Sequence, residues 1–122
     1  MTRVIDLPWN LEVIAWKWMR YSGLLLIPLA SGHVLIQDVL VGVDRIDLNY
    51  VSMRWAIIGW RVYDFFLLVI ALAHGINGLR QIILDFVPGE KKVCFVNKML
   101  LMFLLLMVML GLASLLGGVR KP

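Results

Sequence analysis

The sequence has few of the residues on which soluble enzymes build active sites. Among its 122 residues there are one cysteine and two histidines, and only 16% are charged. Cys94 has no second cysteine for a disulfide and no companion at a metal-ligand spacing, so it is interpreted as a structural thiol. The chain also lacks the cysteine clusters and glycine-rich turns that hold iron–sulfur centres and flavins. No catalytic residue is therefore predicted for the isolated chain.

Apolar residues, by contrast, are in large excess. They form 61% of the sequence and give a mean hydropathy of +0.88, whereas soluble domains are about 45–50% apolar. The excess falls into three segments, at about residues 14–40, 55–84 and 96–116. Each is as long as the ~20 residues that a helix needs to cross a bilayer, and a helix pairs its backbone polar groups within lipid. We predict an all-α membrane protein, a single domain over residues 1–122 with three transmembrane helices.

The charged flanks of these spans predict the topology. The first twelve residues, MTRVIDLPWNLE, are too polar for a cleaved signal peptide; they are expected to lie at the interface, with Asn10 as N-cap and Glu12 in the first helical turn. Cytoplasmic flanks are the richer in Lys and Arg, and the N-terminal side carries seven such residues against four, so the N-terminus is predicted to be cytoplasmic. The seven are Arg3, Lys17, Arg20, Arg80, Lys91, Lys92 and Lys98, and the four are Arg45, Arg54, Arg120 and Lys121, with Arg61 in addition inside the second segment. The net charge of +4 is thus a topology signal and not a nucleic-acid-binding surface.

The two connections between the spans differ in character. Residues 87–92, VPGEKK, predict a tight turn that packs the second and third helices antiparallel. The longer connection, about residues 42–54, has charges of both signs and is predicted to be a solvated loop. Aromatic residues gather near helix ends, as they do in the belts of membrane proteins: Trp9, Trp16, Trp18, Trp55, Trp60 and Tyr63.

Both histidines fall inside predicted spans, where an ionisable side chain needs a partner or a cavity. Small residues surround them: Ala30, Ser31 and Gly32 before His33, and Ala71, Ala73, Gly75 and Gly78 around His74. Three of these, Ala30, Ala71 and Gly78, lie one helical turn from their histidine and share its face. A bare face accepts either another helix or a flat group such as haem, whose iron is commonly bound by neutral imidazole. Two interpretations follow: a hydrogen bond between helices and a haem ligand.

The depths of the two histidines decide how many haems they could serve. His33 follows Arg20 by 13 residues, which places it ~20 Å below the cytoplasmic interface, and His74 precedes Arg80 by six, or ~9 Å. An offset of roughly 10 Å is too large for two ligands of one iron. If both bind haem, they bind different haems, and the second ligand of each must come from another chain.

Arginines near the two heights suit haem propionates, because the guanidinium matches paired carboxylate oxygens. Arg20 and Arg80 lie at the cytoplasmic end, and Arg61 lies near the depth of His33. The alternative is an interfacial arginine that reaches lipid phosphates. Asp64, three residues after Arg61, is predicted to neutralise it.

Two motifs resemble a known family. Arg20-Tyr21-Ser22-Gly23 (R-x-S-G) opens the first span, and His74-x-x-x-Gly78-x-Arg80-x-x-x-x-Asp85 closes the second. Together with three spans they are similar to the small membrane-anchor subunits of succinate:quinone oxidoreductase, respiratory complex II. The form HGINGLRQIILDF, with SGH in the first helix and the RID…RWA connection, is most similar to the SdhD-type anchor of actinobacteria and related bacteria. The similarity covers the first two helices well, and the third by hydropathy alone.

The resemblance implies a four-subunit complex in the cytoplasmic membrane of a bacterium. Its partners would be a flavoprotein that oxidises succinate, an iron–sulfur subunit and a second anchor that shares haem b and a quinone site. His74 is implied to be the haem ligand of the second helix, and His33 the additional ligand of two-haem members. Arg20 and Ser22, with Asp85 nearby, are implied to border the quinone.

One position departs from the family pattern. Many members have Tyr after the second-helix Asp, placed to donate to a quinone carbonyl, and here that residue is Phe86. The donor must then come from elsewhere, such as Tyr21, Trp16 or the partner anchor.

Two other classes remain open: a transporter or channel component with both histidines on a proton path, and a structural anchor without haem. A proton path needs polar groups at intermediate depths, and the chain offers little there besides Ser31 and Asn77.

Overall fold

The computed structural model describes residues 11–118, and within that range helices are the only regular secondary structure. The helices are α1 (Leu11–Val34), α2 (Leu48–Ala56), α3 (Ile58–Phe86) and α4 (Glu90–Gly117). Three stretches are long and apolar enough to cross a membrane: Glu12–Arg45, Ile58–Phe86 and Glu90–Gly117. The predicted all-α fold with three spans is confirmed. The predictions for Arg3, Trp9, Asn10, Arg120 and Lys121 concern residues outside the described range.

The first span changes its hydrogen-bonding pattern along its length. α1 contains Pro28, which membrane helices tolerate when neighbouring groups take up the freed carbonyl. Beyond α1 the chain continues as a π-helix, Leu35–Gly42, and one turn of 3-10 helix, Val43–Arg45. Most π-helices are single-turn bulges, so an eight-residue stretch is unusual. It ends at Gly42, whose φ of 90° is strained for other residues and turns the chain away from the helix axis.

The connection between the first two spans is helical from Leu48 onward, so the prediction of a loop is wrong there, whereas Asp44, Arg45 and Asp47 are exposed as predicted. α2 begins where the Asp47 side chain accepts a hydrogen bond from the backbone N–H of Tyr50, at 2.7 Å. Near its end Arg54 is buried, with 6% of its surface exposed. The loop prediction failed because it treated Arg54 as a topology charge, whereas its partner lies on α3.

α3 is the central helix of the bundle, since it packs against both α1 and α4. The predicted tight turn joins α3 to α4, and Gly89 there adopts a φ of 95°, a conformation that favours glycine. Further along, α4 approaches α3 so closely that a Cβ on Gly111 would overlap the Leu68 side chain. We call the end of the bundle with this turn the turn end, and the opposite end the α2 end.

The chain by itself buries very little apolar surface. Among the described hydrophobic side chains only Leu115 is buried, whereas Phe86 is 81% exposed and Ile58 73% exposed. Apolar surface on this scale is not stable in water and marks faces covered by lipid or by other subunits. Two polar residues of the described range are buried and therefore stand out: Ser22, which contacts His74, and Arg54, which pairs with the carboxylate that faces His33.

Candidate functional site

His74 lies on α3 and is held by a buried serine of α1. Its Nδ1 is 2.8 Å from the Ser22 hydroxyl, and Ser22 is fully buried. The same hydroxyl is 2.6 Å from the carbonyl oxygen of Trp18, an acceptor only. Because the serine has one proton and donates it to that carbonyl, it must accept from the imidazole, whose Nδ1 therefore carries hydrogen. In the neutral ring the other nitrogen, Nε2, then has the lone pair and can bind a metal.

Small residues bring α1 and α3 together at this height, as the sequence suggested. A Cβ on Gly23 would lie 3.4 Å from Cε1 of His74, which is tighter than most van der Waals contacts. Gly75 has open space where a side chain would be, and Ala71 is exposed. Gly78 instead lies against Met19 of α1, at 3.5 Å from a Cβ position. The bare face beside His74 is thus formed by Ala71 and Gly75, while Gly78 serves helix packing.

Arg80 connects all three long helices at the turn end. Its Nε donates to Asn97 of α4 at 2.7 Å, and its terminal nitrogens pair with Glu12 of α1. Nearby, the Asn77 side chain donates to the carbonyl of Ala15 at 3.0 Å. Arg80, Asn77 and Asn97 line a cavity of about 380 Å³ between the helices. Arg80, predicted to bind a propionate, therefore has two protein partners already, and Glu12 has a role beyond the helix dipole.

The four residues expected at the quinone do not lie together in one environment. Ser22 is buried against His74, while the neighbouring Tyr21 is 64% exposed. Arg20 is also exposed and lies over the Trp16 ring, with 4.8 Å between its Cζ and the ring centroid. Asp85 is exposed near the end of α3. The chain thus offers Arg20, Tyr21 and Asp85 on its surface and keeps Ser22 inside.

His33, near the α2 end, has a different kind of partner. Its Nδ1 lies 3.7 Å from the nearer carboxylate oxygen of Asp64 on α3. This Nδ1 is buried and forms no hydrogen bond in the structure. The ring lies nearly parallel to that of Tyr63, at 8° with 6.4 Å between centroids, and the Tyr63 hydroxyl donates to the Leu29 carbonyl. A Cβ on Gly32 would lie 3.3 Å from that hydroxyl, so the small residue allows the close approach.

Asp64 is the centre of a charged cluster that includes α2. Arg54 donates to it at 2.8 Å and the Trp55 indole N–H at 3.1 Å. Burial by itself would lower the pKa of the Arg54 guanidinium, but the hydrogen bonds with Asp64 and Tyr50 and the negative charge of Asp64 raise it above its ordinary value, so Arg54 stays charged. The prediction that Asp64 neutralises Arg61 is wrong: Arg61 donates to the Trp55 carbonyl.

Sequence reasoning missed this ion pair, because it assigned Asp64 to Arg61 and counted Arg54 as a charge of the membrane flank. The available signal was Asp64 itself, since a carboxylate within an apolar run needs a cationic partner. Arg61 is closer to it in sequence, but the ten residues between Arg54 and Asp64 include the end of α2 and the break before α3. Only that break returns Arg54 towards the bundle.

Contacts between α1 and α3 give the heights of the two histidines directly. Ser22 is level with His74, and Gly32 is level with Tyr63. His33 lies eleven residues beyond Ser22 on one helix, and Tyr63 lies eleven residues before His74 on the other. Both helices therefore measure a separation of ~16 Å along their axes. This separation exceeds the roughly 10 Å estimated from the arginines. The two imidazoles are therefore too far apart to bind the same iron.

The donor sets fit haem better than a bare metal ion. Between residues 11 and 118 no group of three or more His, Cys, Asp or Glu side chains is arranged to hold a metal. Each histidine is instead a single nitrogen donor beside exposed small residues, Ala30 at one height and Ala71 at the other. Haem supplies four equatorial nitrogens itself and needs only axial ligands from protein. His74, with its Nδ1 bonded and its Nε2 unprotonated, satisfies that need most clearly.

These features define a membrane-embedded subunit that is incomplete alone. The chain matches the family model described as succinate dehydrogenase/fumarate reductase transmembrane subunit over residues 4–114. The match covers nearly the whole chain, so the chain belongs to this family. It is a membrane subunit of an enzyme complex, and the family implies soluble catalytic subunits as its partners. In a search of curated proteins, none matches the chain.

Proposed function

We propose that this subunit binds haem b through two histidines at different heights and borders the site where the complex reduces quinone. His74 is the axial ligand of the haem nearer the turn end, and His33 of the haem nearer the α2 end. The second ligand of each comes from another anchor subunit, because this chain has no further histidine. The iron–sulfur and flavoprotein subunits dock at the turn end.

The bond between Ser22 and His74 is the observation that carries this proposal. A histidine that only bridges two helices needs one bonded nitrogen and has no use for an accessible second one. Here Nδ1 is fixed as a donor by a buried hydroxyl, and metal-ligating histidines almost always donate their other N–H in this way. The ring remains half-buried in the isolated chain, beside the exposed Gly75.

Haem b, when bound, relays single electrons. The residues of this chain position it and handle the charge around it. Arg61 and Arg20 are the arginines assigned to propionates, since Arg80 is already paired with Glu12. At the quinone, Arg20 supplies positive charge, the Tyr21 hydroxyl a donor and the Asp85 carboxylate a proton acceptor or donor. These three are exposed side chains, and Ser22 acts on the haem through His74.

The orientation in the membrane follows from the charge distribution. Lys91, Lys92 and Lys98 lie at the turn end with Arg20 and Arg80, and cytoplasmic ends are the richer in such residues. We therefore assign the turn end and the N-terminus to the cytoplasmic side of a bacterial inner membrane. The haem of His74 is then the one closer to the soluble subunits.

A dithionite-reduced minus oxidised spectrum of the purified complex, with haem quantification, tests the proposal. Two b haems per complex are expected. His74→Ala and His33→Ala should each remove one, with the other retained. Asn77→Ala is the matched control, because it removes a side-chain bond between α1 and α3 one turn from His74 without removing an imidazole.

The competing functions predict different results. A complex without haem would contradict the proposal and leave a structural anchor or a proton path. Loss of all haem in either variant would contradict the separation of ~16 Å derived from eleven-residue spacings. Retention of both haems in His33→Ala would restrict the ligand assignment to His74.

A further inference from the structure

Asp64 is a carboxylate in the membrane-spanning part of α3, and its side chain is only 16% exposed. A charge in this position is unfavourable unless it is paired and hydrogen-bonded. Arg54 and Trp55 satisfy that need, with contacts of 2.8 Å and 3.1 Å to the two carboxylate oxygens. These two partners are enough to neutralise and hydrogen-bond the Asp64 carboxylate.

A third group nevertheless faces this carboxylate. His33 points its Nδ1 at the oxygen that also accepts from Arg54, at 3.7 Å, and this nitrogen is buried without any hydrogen bond of its own. A lone pair on Nδ1 would face the negative oxygen and be repelled, whereas an N–H would be attracted. The carboxylate therefore favours the tautomer with hydrogen on Nδ1, which leaves Nε2 with the lone pair.

The plane of the imidazole is fixed independently. Tyr63 lies nearly parallel to the ring, and its hydroxyl is bonded to the Leu29 carbonyl one turn before His33. Rotation of His33 away from Asp64 would lose this stacking. The side chain thus has a favoured ring plane and a favoured tautomer before any ligand binds.

We propose that Asp64 is a positioning residue for His33, holding its Nδ1–H so that Nε2 is presented as the haem ligand. The inference rests on the proposed function, since it concerns the second haem. It adds that Arg54 and Trp55, which α2 brings back to the bundle, hold the carboxylate that orients the ligand. The connection between the first two spans is therefore part of the haem site.

The test uses the intact complex with Asp64→Asn, which keeps the size of the side chain and removes its charge. Haem content, the electron paramagnetic resonance g values of the two ferric haems, and their midpoint potentials are measured. We expect both haems to be retained, with a changed g value and a raised potential for the His33 haem alone, because its imidazole loses the negative charge that favours and orients Nδ1–H. Asp38→Asn is the matched control, since Asp38 is an exposed carboxylate five residues from His33.

Each outcome bears on the proposal separately from the proposed function. Unchanged g values in Asp64→Asn, or an equal change in both haems, would overturn it, because loss of charge alone shifts a potential without altering the ligand field. If Asp64→Asn prevents assembly, Asp64→Glu carries the same test, with a changed signal from the His33 haem expected and an unchanged one contrary. A wild-type complex without a second haem, or one that keeps it in His33→Ala, would instead refute the assignment of His33 in the proposed function and leave that of His74.

Discussion

Each end of the bundle contains one histidine, and the two histidines have opposite kinds of partner. At the turn end, His74 is bonded to a neutral hydroxyl that is itself bonded to backbone. At the α2 end, His33 faces a carboxylate that shares its charge with a buried arginine. The arrangement at the turn end involves only neutral dipoles. At the α2 end, the negative charge of Asp64 has to be balanced by the positive charge of Arg54. The α2 end should therefore be the more sensitive to loss of a single partner.

The ion pairs at the two ends show the same contrast in burial. Arg54 and Asp64 have side chains 5% and 16% exposed, whereas Glu12, the partner of Arg80, is 63% exposed. Removal of one partner from a buried pair leaves an uncompensated charge, while water screens an exposed pair. Variants at the two ends can test this difference directly.

The largest effect is expected for Arg54→Met, which leaves the Asp64 carboxylate without its cation. Loss of one partner of a buried pair costs about 3–5 kcal/mol. The free energy of unfolding in mixed detergent micelles, followed by helical circular dichroism, should fall by about 3 kcal/mol, the lower limit of that range.

Arg45→Met is the control, because Arg45 is exposed on the same connection. Equal losses in the two variants would show that the Arg54–Asp64 pair is solvated in the membrane protein, and the contrast between the ends would disappear.

A smaller effect is expected midway between the ends, where α3 and α4 meet without polar groups. Gly111→Ala forces the Leu68 side chain to move, and overpacking of this kind costs about 1–3 kcal/mol. Leu68→Ala in the same chain should restore much of the loss, which a double-mutant cycle in the same unfolding assay measures. Gly117→Ala, at a site with open space, should be neutral. No coupling between positions 68 and 111 would contradict the close approach.

Ser22→Ala tests the neutral arrangement at the turn end. It leaves the His74 Nδ1–H without its acceptor, and loss of such a partner typically lowers metal affinity 10–100-fold. We expect about a tenfold loss for the His74 haem, the lower limit because the acceptor is neutral. Haem retention during dilution of the complex measures it.

The control is Ser114→Ala, because the Ser114 hydroxyl also bonds a carbonyl of its own helix but is exposed and lies on α4. A loss of the same size at the His33 haem would mean that Ser22 supports the bundle generally and not His74 in particular.

The three spans, and the location of both histidines within them, could be predicted from sequence because lipid imposes strong, local rules. Segment length and hydropathy locate the helices, and any ionisable residue within them stands out. The partners of those histidines are a different matter. Ser22 and His74 are 52 residues apart, and nothing local specifies that α1 and α3 are in the register that joins them.

Local spacing was misleading at Asp64. Arg61 lies three residues before it on the same helix, a favourable spacing for an ion pair. The structure gives the carboxylate to Arg54 because the chain breaks at Ile57 and folds α2 back beside α3. The charge of Arg54 in a loop-like sequence predicted exposure to solvent. Arg54 is buried instead, because the Asp64 carboxylate within the span requires a cation.

Glu12→Gln should have the smallest effect. It removes the charge that pairs with Arg80, yet Glu12 is largely exposed and Arg80 keeps its bond to Asn97. Exposed pairs contribute about 0–1 kcal/mol, so the free energy of unfolding should fall by less than about 1 kcal/mol, and by less still at high salt. A loss as large as that of Arg54→Met, unaffected by salt, would mean that the Arg80–Glu12 pair is shielded from water as well as the Arg54–Asp64 pair. Burial would then no longer distinguish the two ion pairs.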